Sequence, residues 1–250
     1  ARGYGYSLAI LTISADWDEE EKRNAILNSK CVGFVVFATE LQNDADISVF
    51  ESMGIPFVIL DNYFSNRPIT CVTLNNEQGI QKLVEHLLEC GHRRIGFLDS
   101  GLSIQSFKER KEYCLWAFDR AGILQCEELS YTIGYPILNA YTGMKNILAQ
   151  KKDLATAYLA DNDIVAIGAI EALKEYGYRI PQDIAVAGFD DRPDCLTCEP
   201  KLTTVRIPRA SFGAEAIELL VNQILRMKRG TKILGSRKLE LGVELIIRES

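Results

Sequence analysis

The chain has 250 residues, a net charge of −6 and a hydrophobic content of 47%. This length corresponds to one large domain or two modest ones, and the composition is that of a folded protein rather than a disordered one. The longest apolar run, Val32–Ala38, is far shorter than the ~20 residues of a membrane-spanning helix, and no signal-peptide pattern is visible. The negative net charge argues against a chain that binds nucleic acid by itself, because phosphates bind to basic surfaces.

The seven cysteines predict free thiols in a reducing compartment rather than a disulfide framework, because their number is odd and several lie in or beside apolar segments. Cys195 and Cys198 form a single CxxC pair. A zinc site needs a second pair or suitably spaced histidines, and His86 and His92 lack that spacing. We therefore expect neither a metal nor another cofactor.

Short apolar runs rich in β-formers alternate with amphipathic segments along the chain. The predicted strands are Ser7–Ile13, Val32–Phe37, Phe57–Leu60, Cys71–Leu74, Ile95–Leu98, Ser130–Ile133, Ala157–Ala160 and Ile184–Ala187. Between them, apolar residues at helical spacing predict helices over Asn75–Cys90 and Asp163–Tyr176, which Gly91 and Gly177 end. Several strand runs are apolar on both faces, as in parallel strands covered by helices. The sequence therefore predicts an α/β fold with parallel sheets.

Polar side chains follow the predicted strands, where open parallel sheets bind their ligands. Asp61, Asn162 and Asp190 each follow a strand closely, and Arg110 lies in the segment after Ile95–Leu98. Carboxylates, an amide and a guanidinium together supply the donors and acceptors that a neutral polyhydroxylated ligand needs. Four aromatic residues are candidates for stacking on a sugar ring: Tyr63, Phe64, Phe107 and Tyr135.

Each of these polar residues also has a purely structural alternative. Asn162 is a typical helix N-cap, and Asp61 and Asp190 are typical turn residues. Arg110 is also a candidate for a solvated helix charge or for a pair with Glu109. The joint placement of the residues at strand ends, rather than any single one of them, carries the prediction of a binding site.

One stretch of the chain, Thr156–Asp191, has a specific pattern in which ND is followed in order by GA, AL, IP, DI and GFDD. Further patterned stretches occur in order along nearly the whole chain: Val32–Phe37, Gly54–Asp61, Asn75–Phe97, Glu109–Arg110, Leu202–Pro208 and Leu245–Ser250. In these stretches the chain resembles the effector-binding core of the lactose-repressor/galactose-repressor (LacI/GalR) family of bacterial transcription regulators. A lone GFDD would be a weak signal, whereas this ordered set is highly specific.

The resemblance implies a periplasmic-binding-protein-like type I fold, in which two parallel-sheet α/β lobes have a ligand cleft between them. One lobe would take residues 1–74 and 206–236, and the other would take residues 75–205 and 237–250.

The resemblance also implies effector contacts at Asp61, Arg110, Asn162 and Asp190, which are the positions that the strand ends select. The chain departs from the family at Tyr113, where a glycine usually follows three residues after the arginine. A bulky ring there could reshape the pocket, so the ligand is not copied from any relative.

The implied function is that of a cytoplasmic bacterial regulator without catalytic activity, in which a small effector controls DNA binding. The effector is expected to be a sugar or sugar derivative, and the protein is expected to be a homodimer without membrane contact. Ala1–Tyr6 resembles the end of the family's first helix, so the first strand, most of that helix and the DNA-binding helix-turn-helix are expected upstream.

Two other classes of protein stay open. One is an exported sugar-binding protein of an ABC transporter, which has the same fold. The other is an α/β enzyme acting on a nucleotide or a sugar. The enzyme is disfavoured because no nucleophile–base pair, phosphate-binding glycine loop or GxSxG motif is evident.

Overall fold

The computed structural model describes residues 1–13, 17–37, 41, 44–64, 66–123, 127–150, 153–231 and 235–250. The chain divides into two compact units that are interleaved in sequence. Unit 1 comprises Ala1–Thr73 and Pro208–Leu241, and unit 2 comprises Leu74–Ile207 and Gly242–Ser250. None of the helices in the described residues is long and apolar enough to cross a membrane.

Helices and strands alternate through most of the chain. The helices are α1 (Glu19–Asn28), α2 (Asp44–Ser52), α3 (Asn76–Glu89), α4 (Gln105–Arg120), α5 (Ile137–Ala149), α6 (Asp163–Glu175) and α7 (Arg209–Lys228). The strands are β1 (Phe34–Phe37), β2 (Phe57–Leu60), β3 (Cys71–Leu74), β4 (Ile95–Asp99), β5 (Tyr131–Thr132), β6 (Ala157–Ala160), β7 (Ala185–Asp190), β8 (Thr203–Arg206), β9 (Lys238–Leu241) and β10 (Glu244–Ile246). The predicted α/β class is confirmed.

Unit 1 is built on a four-stranded sheet with the order β1-β2-β3-β9. The pairs β1–β2 and β2–β3 are parallel. Ile26 of α1 and Phe50 of α2 pack with Ile59 of β2 in one buried cluster. β9 lies beside β3, so residues 238–241 belong to the sheet of unit 1 and not to the C-terminal lobe, where the sequence pattern placed them.

The prediction of a strand over Ser7–Ile13 is wrong. The segment has no regular structure, and its Leu8 and Ile10 side chains are 71% and 90% exposed. A strand exists only through hydrogen bonds to a neighbouring strand. None of the strands in the described part of the chain pairs with this segment, so its β-rich composition alone does not produce a strand.

Unit 2 is built on a six-stranded sheet with the order β10-β8-β7-β6-β4-β5. All its strand pairs are parallel except β10–β8, which is antiparallel. The buried patterns of β4 and β6 confirm the sequence prediction of strands that are apolar on both faces. This sheet carries the carboxyl ends of β4, β6 and β7 to one edge, because these strands are parallel.

The two helices predicted from apolar spacing in unit 2 are confirmed as α3 and α6. α3 begins after Asn75, whose side-chain oxygen accepts a hydrogen bond from the Gln78 backbone N–H at 2.7 Å. Gly91 and Gly177 follow the helix ends with φ of 91° and 88°, a left-handed conformation in which a side chain would be strained.

The six described cysteines are free thiols, and Cys126 lies outside the described residues. Burial raises the pKa of both Cys195 and Cys198, which keeps their thiols protonated and unreactive at neutral pH.

Candidate functional site

Arg110 lies on α4 and is only 2% exposed. Its Nε donates to Asn76 Oδ1 at 3.0 Å, and its Nη1 donates to the Asp161 carbonyl oxygen at 2.8 Å. Its Nη2 lies 3.1 Å from Asp190 Oδ1. A buried charge needs a partner of opposite charge and hydrogen bonds, because burial removes the water that would otherwise solvate it. The alternatives of a solvated charge or a pair with Glu109 are therefore wrong.

Two aromatic rings flank the Arg110 guanidinium. Its Cζ lies 3.8 Å from the centroid of the Phe189 ring and 5.3 Å from that of Phe107. Such contacts stabilise a cation through the negative faces of the rings. Gly79 of α3 leaves room for this arrangement, since a Cβ there would lie 2.5 Å from a Phe189 ring atom. The guanidinium is thus held by ring contacts as well as by its hydrogen bonds.

The segment after β6 contributes an amide that serves two purposes. Asn162 caps α6, because its Oδ1 accepts from the Val165 backbone N–H at 3.1 Å. Its Nδ2 donates to Asp161 Oδ1 at 2.7 Å, and Asp161 Oδ2 accepts from the Ser100 backbone N–H at 2.7 Å. Asn162 therefore caps α6, and its amide nitrogen also connects the residue to the group around Arg110, so capping is not its only contact.

The end of β7 places two carboxylates in unusual backbone conformations. Asp190 and Asp191 have φ of 113° and 51°, in the region that side chains rarely adopt. Asp191 is held by Arg206 Nε at 2.7 Å and by Arg248 Nη2 at 2.5 Å. Asp190 pairs with the buried Arg110, and its side chain stays 22% exposed. Asp190 is therefore the more exposed carboxylate of the two, since the Asp191 side chain is 10% exposed.

Burial dominates the ionisation of the neighbouring acids. It raises the pKa of Asp163 to about 7, and the charge of Asp190 adds to this shift. It also raises the pKa of Asp161 to about 6, against the hydrogen bonds from Ser100. Asp163 accepts from Thr204 Oγ1 at 2.5 Å and from the Arg192 backbone N–H at 2.8 Å, so it ties α6 to β8 and to the segment after β7.

In unit 1, the predicted Asp61 follows β2 with a left-handed φ of 59°, and its backbone N–H donates to Val72 at 3.0 Å. The ring of Tyr63 is covered by Lys238, whose Nζ lies 3.7 Å from the ring centroid. Tyr63 and Phe64 pack against the buried apolar cluster of this unit. Tyr135, in unit 2, is 42% exposed just before α5.

The structure thus links Asp190 directly to Arg110, and it links Asn162 to Arg110 through Asp161. Sequence reasoning missed Asn76 as a partner of Arg110, because the two lie 34 residues apart and no local pattern links them. It also did not connect Phe189 with the arginine. The only available signal for Phe189 was its place in GFDD, directly before Asp190.

Comparisons with known proteins agree with this architecture. Residues 84–250 match a family model described as a periplasmic binding protein-like domain. The transcriptional repressor PurR of Mannheimia succiniciproducens is 30% identical over 249 residues, which cover 98% of this chain and 72% of that protein. The transcriptional regulator GalS of Salmonella typhimurium is 34% identical over 205 residues, 81% of this chain and 60% of GalS. A LacI family transcriptional regulator from Enterococcus faecium, solved with bound ribose, is 26% identical with a TM-score of 0.76, over 90% of this chain and 81% of that one.

Two interleaved α/β units with parallel sheets, together with the domain match, define a ligand-binding module of the periplasmic binding protein-like class. The chain belongs to the LacI/GalR family of transcriptional regulators. It is the ligand-sensing core of such a regulator and not an enzyme, since its relatives are transcriptional repressors and regulators. The resemblance seen in the sequence is thereby confirmed, and neither the transporter component nor the α/β enzyme matches these relatives.

Proposed function

We propose that this core binds a sugar or a sugar derivative through Asp190, Asn162 and Arg110 of unit 2, with Asp61 of unit 1 as a further contact. The observation that carries the proposal is the buried Arg110–Asp190 pair, which leaves the Asp190 side chain 22% exposed. The Asn162 amide is linked to the same arginine through Asp161. A hydroxyl group both donates and accepts hydrogen bonds, so a carboxylate and an amide suit it. The ribose bound to the relative from Enterococcus faecium supports this class of ligand.

In this proposal Asp190 and Arg110 have different roles. Asp190 accepts hydrogen bonds from ligand hydroxyls. Arg110 has five N–H groups, of which three are directed at Asn76, Asp161 and Asp190. It therefore keeps at most two for a ligand, and its main task is to hold Asp190 in place.

We further propose that ligand binding controls operator DNA binding by a homodimer in the bacterial cytoplasm. The DNA would be contacted through a helix-turn-helix segment outside these 250 residues, as the names of the PurR and GalS relatives suggest. A ligand that favours one arrangement of a two-state protein changes its DNA affinity, and DNA changes the ligand affinity by the same factor.

The ligand proposal is tested by thermal unfolding of the chain with a panel of carbohydrates that includes D-ribose, D-galactose and cellobiose. At a ligand concentration of 100 times the Kd, binding stabilises the protein by roughly 2.7 kcal/mol. We expect at least one member of the panel to raise the melting temperature of the parent. A complete panel without any shift would overturn the sugar assignment.

The site is tested by the variant Asp190→Asn, which removes the charge and retains the shape of the side chain. We expect the sugar-induced shift to disappear in this variant, measured from its own melting temperature without ligand. Asp194→Asn is the matched control, because Asp194 is a half-exposed acid four residues away whose ion pair among the described residues is with Arg192 at 3.4 Å. An undiminished shift in Asp190→Asn would remove Asp190 from the site.

A further inference from the structure

One segment of unit 1 is locally basic, although the chain as a whole is acidic. Residues 226–238 contain six lysines and arginines and no aspartate or glutamate, whereas the whole chain has a net charge of −6. The segment comprises the last turn of α7, the connection to β9 and the first residue of β9. Such a local excess of one sign attracts the opposite charge.

A cavity of about 290 Å³ lies in unit 1 next to this segment. Asn222, Gln223 and Arg226 line it from α7, where Arg226 follows the other two by four and three residues and so neighbours both on the helix surface. Arg237 lines it from the residues before β9, together with the hydroxyl-bearing Thr70 and Ser236. The polar groups of the wall are therefore two guanidinium groups, two amides and two hydroxyls, all of which can donate hydrogen bonds.

No carboxylate of the described residues forms an ion pair with either of the two arginines. Neither Arg226 nor Arg237 has an ion-pair partner among the described residues, whereas Arg110, Arg206 and Arg248 are each paired with an aspartate. The backbone of Arg237 is anchored, since its N–H donates to Thr70 Oγ1 at 3.3 Å and its carbonyl accepts from Cys71 at 2.8 Å. The Arg237 backbone is thus held at Thr70 and Cys71, whereas its guanidinium has no ion-pair partner among the described residues.

The acidic residues nearby limit where an anion would bind. Glu215 and Glu218 line an adjoining cavity of about 270 Å³ together with Arg237 and Lys238. That cavity lies toward the N-terminal half of α7 and has both signs of charge. The first cavity has only arginines as its charged lining residues, so an anion is favoured there.

We propose that Arg226 and Arg237 form a second binding site, on unit 1, for the phosphate group of a small phosphorylated compound. The guanidinium fork matches phosphate oxygens in pairs, and the side chains of Asn222, Gln223 and Ser236 supply further donors. The concave shape and the volume suit a small ligand. An extended nucleic-acid contact is disfavoured, because the acidic pair Glu215 and Glu218 lies on the same helix.

Inorganic phosphate is the first probe, measured by thermal unfolding and by titration calorimetry against sodium chloride at equal ionic strength. We expect saturable binding of phosphate and a higher melting temperature that chloride does not reproduce. In the double variant Arg226→Met/Arg237→Met we expect at least a tenfold loss of phosphate affinity. Arg229→Met is the matched control, because Arg229 belongs to the same basic segment and does not line the cavity, and it should bind phosphate like the parent.

A second double variant, Arg226→Lys/Arg237→Lys, distinguishes the contribution of the paired guanidinium donors from that of the positive charge. We expect it to lose most of the phosphate affinity, since lysine retains the charge without paired donors. Equal effects of phosphate and chloride, or unchanged phosphate binding in the methionine variant, would overturn the proposal. Binding of random duplex DNA without binding of phosphate would also overturn it, in favour of a basic face for nucleic acid. Asp190→Asn should leave phosphate binding unchanged, so this outcome is independent of the sugar site.

Discussion

Replacing Arg110 by methionine is the most informative perturbation of the group at the strand ends. Methionine retains an unbranched apolar stem like that of arginine but removes the donors to Asn76, to the Asp161 carbonyl and to Asp190. Removing one partner of a buried ion pair costs about 3–5 kcal/mol, because the other charge stays in the protein unpaired. The 22% exposure of the Asp190 side chain lets water relieve part of this cost. The lower end, ~3 kcal/mol, is therefore expected.

This loss of unfolding free energy corresponds to a fall in melting temperature of roughly 6–12 °C for a chain of this size. Thermal unfolding followed by circular dichroism measures the fall. Arg179→Met is the matched control in the same unit, because Arg179 forms an exposed pair with Asp183 and its loss should leave the melting temperature close to that of the parent. If Arg110→Met and Arg179→Met lower the melting temperature equally, the buried pair does not stabilise unit 2 as described.

Two further perturbations test the packing and the ionisation of unit 2. The raised pKa of Asp163, about 7 against 3.8 for the free group, means that the folded protein holds a proton that the unfolded chain releases, so stability should fall as pH rises between these values. Asp163→Asn removes this titration. The free energy of unfolding of the variant minus that of the parent, measured with urea, should therefore increase from pH 4 to pH 7. A difference that does not change with pH would contradict the assignment. Gly143→Ala should destabilise unit 2 by about 1–3 kcal/mol, because a Cβ on α5 would collide with the backbone carbonyl oxygen of Ile133. Gly213→Ala is its control, as a Cβ there meets nothing within 4 Å, and equal unfolding midpoints for the two variants would show that α5 does not pack as closely as described.

The parts of the fold that local patterns determine were predictable from the sequence. α3 and α6 each have a capping asparagine, an apolar face and a terminal glycine, so every local signal agrees with the observed helix. The buried strands β2, β3 and β6 have the predicted bounds, because continuous apolar runs are required when helices cover both faces.

The remaining features depend on contacts between distant residues. Ser7–Ile13 has the composition of a strand, but the described chain provides no pairing partner for it. The partners of Arg110 come from α3, from the end of β6 and from the end of β7, and no spacing along the chain relates these positions. The sequence therefore predicted which residue types lie at the strand ends, but not that the arginine would be buried in contact with Phe107 and Phe189.

The central claim, that this regulator core senses a sugar through Asp190 and Asn162, is tested most directly by a crystal structure. The chain would be crystallised with the carbohydrate that raises its melting temperature most. We expect ligand hydroxyl groups within hydrogen-bond distance of the Asp190 carboxylate and the Asn162 amide, with Arg110 still bound to Asp190. A carbohydrate bound without contact to either side chain would contradict it.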